Sequence, residues 1–556
     1  MLRSRTGQTA VLAYLAVAVF TLLGGSLLSQ SFSTQRHSQR EQLQDEVFYA
    51  AEGGIEDAIG RFGQAIANFQ VDTNITRYPV VGSLVTAFAS GATASSVVEQ
   101  AEPTPRTVAD PDGISIFLKN YHITTTVAHP AFPGVTATVH QVVERRIIYT
   151  FQHAVFYDGD LEWLPGPDMT LSGRVHSNGD IYIGTNALLT VDSEYLRATG
   201  NIFNRRKDSS DSMPGIVQIK KADTSPPQYL AMAGLDSANP TWETQSQTRW
   251  NGTVKTGVHG VTKRAVPVVG SIAPGGFYDT NAQMRIVNNT VTLNGVALVE
   301  GVNLPPGTVT ASTTFYNNRE GKFVKMSNVD LKKLAGYFDV NGDSVLDPPG
   351  TPGNPYTNQL PANGLIYATR TDATGSQQPG VRLLNGSEVR RTGGLTIVSN
   401  DPMYIQGNFN TTSKKPVAVV ADAMNLLSNH WNDSQSTSNN VNSGSPRTAT
   451  ATTFNAAFIA GIKPTVTGNY NGGLENYPRF HERWTGVNCS VTGSFVSLWN
   501  SQLAAGNWVY GQQASNSQYT APNRLWTYDA SFSDGTTLPP FTPWAVEIVK
   551  GAWWED

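Results

Sequence analysis

Residues 7–32 read GQTAVLAYLAVAVFTLLGGSLLSQSF and contain no charged side chain. The segment 10–28 is almost entirely apolar, and about 20 apolar residues in a helix cross the hydrocarbon core of a bilayer. Arg3 and Arg5 precede the stretch, and basic residues before a span tend to remain in the cytoplasm. The stretch therefore predicts one transmembrane helix, with the rest of the chain outside the cytoplasm. A cleaved secretory signal is the alternative, but its apolar region usually has only about 7–15 residues.

The helical pattern continues beyond the apolar stretch. Segment 29–42 is polar but contains no Pro or Gly, so one helix to about Phe69, on the order of 90 Å long, is predicted. Gly53 and Gly54 mark the place where a bend is expected, since glycine weakens a helix. Apolar residues recur every three or four positions, which indicates one buried face: Leu43, Val47, Ala51, Ile55, Ile59, Phe62, Ile66 and Phe69.

Two segments of this helix carry a family resemblance. Residues 7–32 and residues 48–62, FYAAEGGIEDAIGRF, resemble the N-terminal region of the type IV pilus assembly protein PilX and of the large K-type minor pseudopilins. Residues 470–484, 493–502 and 528–544 are similar to the C-terminal end of large PilX-type proteins. The resemblance implies a pilin-like subunit in the bacterial inner membrane, crossing once, with its C-terminal body in the periplasm or outside the cell at a pilus tip.

The resemblance also implies processing and partners. A prepilin peptidase would cut between Gly7 and Gln8, and the partners would be the lipid bilayer, other pilins or pseudopilins and the inner-membrane assembly platform. The side chains expected to serve membrane insertion and assembly are Leu12, Leu15, Phe20, Leu43, Val47, Ile55, Ile59 and Phe62.

Two positions depart from the family pattern. Pilins usually begin with Phe after the cut and carry Glu at mature position five, where this chain has Gln8 and Leu12. That Glu neutralises the N-terminal amine of a neighbouring subunit inside an apolar bundle, where an unpaired charge is costly. Its absence suits an initiating or tip subunit, which has no neighbour above it, or a relative that stays anchored outside any filament.

Composition excludes several classes of function. The chain has 15% charged residues and 51 glycines, a composition typical of turn-rich β proteins. Its net charge of -4 is spread without basic runs, so nucleic acid is not an expected partner. Cys489 is the only cysteine, which excludes an intrachain disulfide and is expected to be a buried, inert thiol.

The rest of the chain predicts a mainly β body in an α+β protein. Residues 114–130 and 135–157 alternate apolar and polar side chains and predict a long hairpin packed on the helix as a pilin-like head. Short strands separated by Gly, Asn and Asp turns then recur at a spacing typical of solenoid coils. A right-handed parallel β-helix is the favoured fold of this body because each short strand needs neighbours to bury its inward face. An irregular β-sandwich is the alternative.

These patterns divide the chain into seven predicted parts. Residues 89–111 within the third part are expected to be a linker, residues 329–338 within the fifth to be helical, and residues 430–447 to be a loop. The parts are a basic leader (1–7), the pilin-like helix (8–70), the linker and sheet head (71–157), the first coils (158–206), an insertion (207–355), further coils (356–500) and an aromatic-rich C-terminal cap (501–556).

One acidic turn has the spacing of a calcium loop. Asp339, Asn341, Asp343 and Asp347 place oxygen ligands at loop positions 1, 3, 5 and 9, and the carbonyl of Val345 would supply position 7. A structural Ca²⁺ is therefore predicted, with a solvated turn as the alternative. Gly350 stands where an EF-hand has its bidentate Glu, so the match is incomplete.

Catalytic motifs are weak in this sequence. His481 and Glu482 resemble half of a zinc-protease motif, but Thr485 occupies the position of the second His. No G-x-S-x-G elbow, P-loop or dinucleotide fingerprint is present. Four acidic residues near the start of the body form a second set of catalytic candidates, because paired carboxylates at suitable distances can cleave glycosides. They are Asp158, Asp160, Glu162 and Asp168.

The sequence thus favours a structural role over an enzymatic one. The first hypothesis is a minor-pilin-like subunit that initiates or caps a type IV pilus or a type II secretion-like pseudopilus. The alternatives are a membrane-anchored β-helix that binds polysaccharide or a surface as an adhesin, and a polysaccharide-cleaving β-helix enzyme.

Overall fold

The computed structural model describes residues 6–71, 76–82, 91–110, 113–438, 441, 445–508 and 518–556. Its first element is one continuous helix, α1, Thr6–Ala67, which at 1.5 Å per residue is about 93 Å long. Nearly every residue between Gly7 and Gln42 is exposed, whereas one face of the helix is buried from Val47 onward. The chain therefore consists of a long helix with an apolar N-terminal half, followed by a mainly β body.

The helix continues through Gly53 and Gly54, where the sequence predicted a bend. Gly54 is buried, and a Cβ atom added to it would overlap the Cβ of Ala94 and lie 2.9 Å from Cγ2 of Thr125. The missing side chain thus allows helix and sheet to approach each other closely. The glycine serves this close packing while the helix remains unbroken.

An antiparallel sheet covers the C-terminal half of α1 and forms the head. Its strands are β1 Arg77–Gly82, β2 Thr93–Gln100, β3 Arg106–Ala109, β4 Ser115–His129 and β5 Phe132–Tyr149. They pair in the order β1-β2-β4-β5, with β3 also against β4. The predicted hairpin is thus present as β4 and β5.

The predicted linker at residues 89–111 is wrong where the structure describes it, because β2 and β3 lie there. The buried positions of β2 include Ala94 and Ser96, and the Ser96 hydroxyl pairs with that of Thr125 at 2.7 Å. Small and polar side chains fit the narrow space under Gly54. The apolar alternation that identifies a strand in sequence is therefore weak in this strand.

The body begins with short strands that stack in parallel. They form three sets, β6-β9-β12-β16, β7-β10-β13 and β8-β11-β14, and β15 adds to the last set antiparallel. The elements are β6 Val155–Tyr157, β7 Leu161–Trp163, β8 Met169–Ser172, β9 Val175–Ser177, β10 Ile181–Ile183, β11 Leu188–Asp192, β12 Leu196–Ala198, β13 Ile202–Phe203, β14 Ile216–Lys220, β15 Tyr229–Ala231, α2 Trp242–Trp250 and β16 Val254–Lys255.

The second part of the body stacks in two parallel sets, β17-β23-β25-β27-β29-β31 and β22-β24-β26-β28-β30. Antiparallel strands β18 and β19 follow β17 at one end. The elements are α3 Phe277–Asn281, β17 Met284–Val287, β18 Thr290–Leu293, β19 Val296–Leu298, β20 Val309–Ser312, β21 Tyr316–Asn317, β22 Lys322–Asp330, α4 Leu331–Leu334, β23 Leu365–Thr369, β24 Gln377–Leu384, β25 Leu395–Val398, β26 Met403–Gln406, β27 Val417–Ala421, β28 Met424–Leu427, β29 Thr452–Ala460, β30 Arg479–Phe480 and β31 Asn488–Ser497.

The two parts form one continuous stack because β31 pairs in parallel with β6. Along the shared sheet the order is β16-β12-β9-β6-β31-β29-β27-β25-β23-β17. The chain therefore enters the stack in its middle, runs to one end, crosses to the other end and returns to the point of entry. A single apolar core runs through both parts, from Val155 to Trp526.

The segment 207–355 is not an insertion outside the coils, as its composition predicted. Its strands β14, β16, β17 and β22 pair in parallel with strands of the stacks. The helix expected at residues 329–338 is also largely wrong, because β22 extends to Asp330 and α4 has a single turn. Pairing with β24 along the whole of β22 outweighs the helical preference of these residues.

The C-terminal region returns to the head, which contradicts the predicted cap at residues 501–556. The strand β32 Asn523–Tyr528 pairs with β31, but β33 Trp544–Glu555 pairs antiparallel with β5. Trp526 packs on Phe495 in the body, whereas Trp544, Trp553 and Trp554 belong to the head sheet. The body is thus inserted between two neighbouring strands of the head.

The loop expected at residues 430–447 is partly ordered. Asp433 accepts a hydrogen bond of 2.6 Å from Arg382, and Ser436 donates to the Asp433 carbonyl. Residues 439, 440 and 442–444 of this tract lie outside the described residues, as do Arg3 and Arg5 of the leader.

Candidate functional site

The N-terminal half of α1 presents apolar side chains on all its faces. Leu12 and Phe20 are 66% and 73% exposed, and Leu15 is also exposed. In the part of the chain that the structure describes, α1 is the helix long and apolar enough to cross a membrane. A helix that is hydrophobic all round is stable when lipid or other helices surround it. The exposed predicted residues Leu12, Leu15 and Phe20 are consistent with that role.

The C-terminal half of α1 uses its apolar face within the molecule. Val47, Ile55, Ile59 and Phe62 are buried against the head sheet, and the Phe62 ring lies 4.9 Å from that of Tyr121. Leu43, one turn before Val47, is half-buried. The prediction that these residues serve assembly with other subunits is therefore corrected: Val47, Ile55, Ile59 and Phe62 hold the helix to its own head and are not available to a neighbour.

Polar contacts fix the same half of the helix at the rims of the sheet. Lys550 of β33 donates to a Glu56 oxygen at 2.6 Å, and Arg61 donates to the Val81 carbonyl at 2.7 Å. An exposed ion pair such as Lys550–Glu56 contributes about 0–1 kcal/mol, so it orients the helix more than it stabilises it.

Aromatic rings join the end of the helix to the body. Phe69 stacks on Phe277 with 3.8 Å between ring centroids, and it contacts Trp544 at 4.8 Å. The Trp544 indole donates to the carbonyl of Ile66 at 3.1 Å. Helix, head and body thus meet at one aromatic contact, which the sequence did not indicate because its members lie in three distant segments.

The predicted processing site lies in the first turns of α1. Gly7 and Gln8 are exposed, and a Cβ at Gly7 would meet nothing within 4 Å. The backbone on both sides of the expected cut is therefore uncovered by the described part of the protein.

The acidic loop at residues 339–347 is ordered by its own side chains. Asp339 accepts hydrogen bonds from the N–H groups of Gly342 and Ser344, at 2.7 and 2.9 Å, and Asp343 accepts from Val345 at 2.8 Å. Phe338 and Asp347 close the loop as a backbone pair. Within the described residues no three His, Cys, Asp or Glu side chains are grouped so that they could hold a metal ion. Calcium binding therefore stays a prediction from the sequence.

Three of the four acidic candidates near the start of the body come together. Asp158, Asp160 and Glu162 line a cleft of about 350 Å³. Its wall also includes Lys207, Ile462, Pro464, Thr465, Asn471 and residues 497–500. We call it the junction cleft, because β6 and β31 meet beside it. Asp168 does not belong to it and accepts a hydrogen bond from the Leu188 N–H at 2.9 Å. Sequence reasoning missed Lys207 and Trp499 as cleft residues, because both lie far from Glu162 in the chain.

The remaining candidates are packed into the body. His481 is buried and pairs with the Asn425 amide at 2.8 Å, and burial lowers its pKa to about 3. Glu482 is buried and accepts from the backbone N–H of Ser428 at 2.7 Å. Cys489 is buried, and burial raises the pKa of its thiol to about 12.

Comparison with known proteins gives structural likenesses but no match by sequence. No protein-family model matches the sequence, and no curated protein matches it. Among solved structures, the competence-associated pilin ComZ from Thermus thermophilus aligns with 92% of this chain and 97% of its own, at 12% sequence identity and a TM-score of 0.22. Similarity at this level does not assign the chain to a family.

Proposed function

We propose that the protein is a minor-pilin-like structural subunit of a type IV pilus or a type II secretion-like pseudopilus, without catalytic activity. The observation that carries this proposal is the division of α1 into two unlike halves. The N-terminal half carries exposed apolar side chains on every face. The C-terminal half packs along one face against the head sheet.

The N-terminal half needs an apolar environment. Burial of apolar surface contributes roughly 25 cal/mol per Å², so large exposed side chains all round a helix are costly in water. The apolar residues 10–28 match the hydrocarbon thickness of a bilayer. We infer that this half lies in the inner membrane and can leave it only for a bundle of similar helices, which is how a pilin-like subunit would change from anchored to assembled.

The side chain at Leu12 bears on the place of the subunit in a filament. A subunit without an acidic residue here has no group to neutralise the amine of the chain above it, whereas its own amine can still be neutralised by a chain below. We therefore propose that this subunit initiates or caps the filament. Its bulky body, inserted between β5 and β33, would be easiest to place at a tip.

The stacked strands are interpreted as coils of a right-handed parallel β-helix. Strands such as β23 and β27 are buried along their whole length, as expected for parallel strands covered on both faces. The body would then be a rigid projection from the head that exposes polar turns to the periplasm or the medium.

Processing of the N-terminus tests the proposal. We expect mass spectrometry of the membrane-extracted protein to show a chain beginning at Gln8 when it is coexpressed with a prepilin peptidase. The substitution Gly7→Leu should prevent the cut, because a large side chain would occupy the space now open at the cleavage position. Gly25→Leu, a matched change within the span, should be processed normally. An intact Met1 in the membrane fraction, or a protein that remains in the aqueous phase without detergent, would refute the proposal.

A further inference from the structure

The junction cleft is built from segments that only the fold brings together. Asp158 follows β6 and its backbone N–H donates to the Ser497 carbonyl of β31 at 2.8 Å. Ile462, after β29, donates to the carbonyl of Trp499 at 3.3 Å. The cleft therefore lies where the last coil of the second part meets the first coil of the first part.

Two buried polar atoms of the cleft lack a hydrogen-bond partner among the described residues. Glu162 is 3% exposed, and its Oε2 accepts no hydrogen bond from any described residue. Trp499 is 9% exposed, and its indole N–H likewise has no acceptor among the described residues. Buried polar atoms without a partner are rare in folded proteins, and such atoms call for a bound molecule. Here Oε2 of Glu162 is a hydrogen-bond acceptor and the indole N–H of Trp499 is a donor.

The charge of the cleft limits the chemistry of that molecule. Lys207 donates to Asp160 at 2.7 Å and offsets its charge, while Asp158 accepts from the neutral Asn178 amide at 2.8 Å. Burial raises the pKa of the Glu162 carboxyl to about 7, against the lowering effect of the Thr465 hydroxyl. The cleft thus carries a small negative charge, which disfavours anions. A metal ion is disfavoured as well, because the described carboxylates do not form a ligand group.

We propose that the junction cleft binds a neutral saccharide. Sugar hydroxyls both donate and accept hydrogen bonds, so a saccharide can donate to Glu162 and accept from Trp499 without carrying a charge. The volume of about 350 Å³ lies at the lower end of ordinary small-molecule sites and fits one or two sugar rings. Asn471 and Asn500 add neutral polar groups to the wall.

Water is the competing occupant. Glu162 also lines a void of about 10 Å³ beside Tyr157, whose hydroxyl is likewise unpartnered among the described residues. A void of this size holds a single water at most. The junction cleft, which Glu162 also lines, is far larger at about 350 Å³, and Trp499 lines the cleft but not the void. A single water in the void would therefore leave the cleft unfilled.

Calorimetric titration of the full-length protein tests the assignment. The protein is kept in a detergent without a sugar headgroup and titrated with gluco-, manno- and chito-tetraose. We expect saturable binding of at least one of these probes. Glu162→Gln, which preserves shape, and Trp499→Phe, which keeps an aromatic ring but removes the indole N–H, should each weaken it about tenfold by removing one hydrogen bond. Asp168→Asn, a carboxylate of the same segment outside the cleft, should leave the affinity unchanged.

Three outcomes would overturn the assignment. The first is no binding of any neutral tetraose by the wild-type protein, with only water in the cleft of a crystal grown with the sugar. The second is binding that both cleft variants retain in full. The third is tighter binding of an acidic galacturonate oligomer than of the neutral probes. Circular dichroism of each variant establishes that it is folded, so a lost affinity is assigned to the cleft.

Discussion

At the scale of single residues, the apolar side chains of α1 fall into two groups. Those near the N-terminus are exposed, and those near the C-terminal end of the helix are packed against the head sheet. Leu12 and Phe62 are both apolar and both lie in α1, but Phe62 is fully buried against Tyr121 while Leu12 is largely exposed. A sequence pattern identifies an apolar face. It does not say whether the partner of that face belongs to the same molecule.

Gly54 offers a direct test of the close contact between helix and sheet. We expect Gly54→Ala to destabilise the head by about 1–3 kcal/mol, because its Cβ would overlap Ala94. Gly60→Ala is the matched control, since a Cβ there meets nothing within 4 Å and alanine favours a helix by about 1 kcal/mol. Urea unfolding in detergent measures both changes. Equal effects at the two glycines would contradict the packing described.

Glu482 predicts a pH dependence of stability. Burial raises the pKa of this carboxyl to about 7, so the folded state binds its proton more tightly than the unfolded state, where the pKa is near 4.5. Proton binding by Glu482 therefore adds its full amount to the free energy of unfolding below about pH 4.5. This stabilisation, about 3 kcal/mol, is lost as the pH rises toward 7. Glu482→Gln should remove this part of the slope, whereas Glu243→Gln on the surface should not. The midpoint of urea unfolding between pH 4.5 and 8 gives the slopes, and parallel curves for wild type and Glu482→Gln would refute the prediction.

Calcium binding by the loop 339–347 is tested by its effect on thermal stability. We expect the melting temperature to rise in about 10⁻³ M Ca²⁺, a concentration typical of extracellular modules, and to fall again with chelator. Asp343→Asn should abolish the response by removing a charged ligand, while Asp211→Asn, an exposed acid elsewhere, should retain it. A melting temperature that does not change with Ca²⁺ would show that these carboxylates only order the loop, by accepting its backbone hydrogen bonds.

At the scale of elements, α1 is one helix with two environments. The strands of the head bury Val47, Ile55 and Phe62, and nothing in the described chain covers the helix before Leu43. The element's existence followed from sequence, since an uncharged run and a periodic apolar face are both local properties. The strand β2 did not, because two of its three buried positions are the small residues Ala94 and Ser96, which only the nearby helix explains.

The two halves of α1 should respond differently to the same kind of substitution. Phe62→Ala is expected to cost about 3–5 kcal/mol of head stability by leaving a cavity against Tyr121. Leu22→Ala, at an exposed position, should leave that stability unchanged and weaken partition into vesicles instead. Urea unfolding and vesicle flotation measure the two effects. A loss of head stability in Leu22→Ala would mean that the N-terminal half packs on the protein.

At the scale of the whole molecule, the chain path explains why the domain boundaries were difficult to predict. The body leaves the head after β5 and returns as β33, and the stack inside the body is entered in its middle at β6. Segments that look like an insertion or a cap in sequence therefore belong to the stack and to the head. Strand partners hundreds of residues apart leave no local signal.

Removal of residues 544–556 tests this closure. Deletion of β33 would uncover β5, expose the partners of Ala545 and Val546, and remove the contact between Trp544 and Ile66. We expect hydrogen exchange to rise in β5 and in the buried half of α1, while β25 and β27 stay protected inside the stack. Unchanged exchange in the helix would show that β33 is not needed to hold it.

The sequence by itself determined the long helix, its uncharged membrane-length stretch, the β4–β5 hairpin and the β-rich character of the rest. These features depend on charge, length and periodicity within a few consecutive residues, which any chain displays before it folds. Only the tertiary structure decided which apolar residues of α1 are covered, that β33 closes the head, and that Glu162 and Trp499 share one cleft. Such features depend on contacts between distant segments, and burial is a property of the surroundings rather than of the residue.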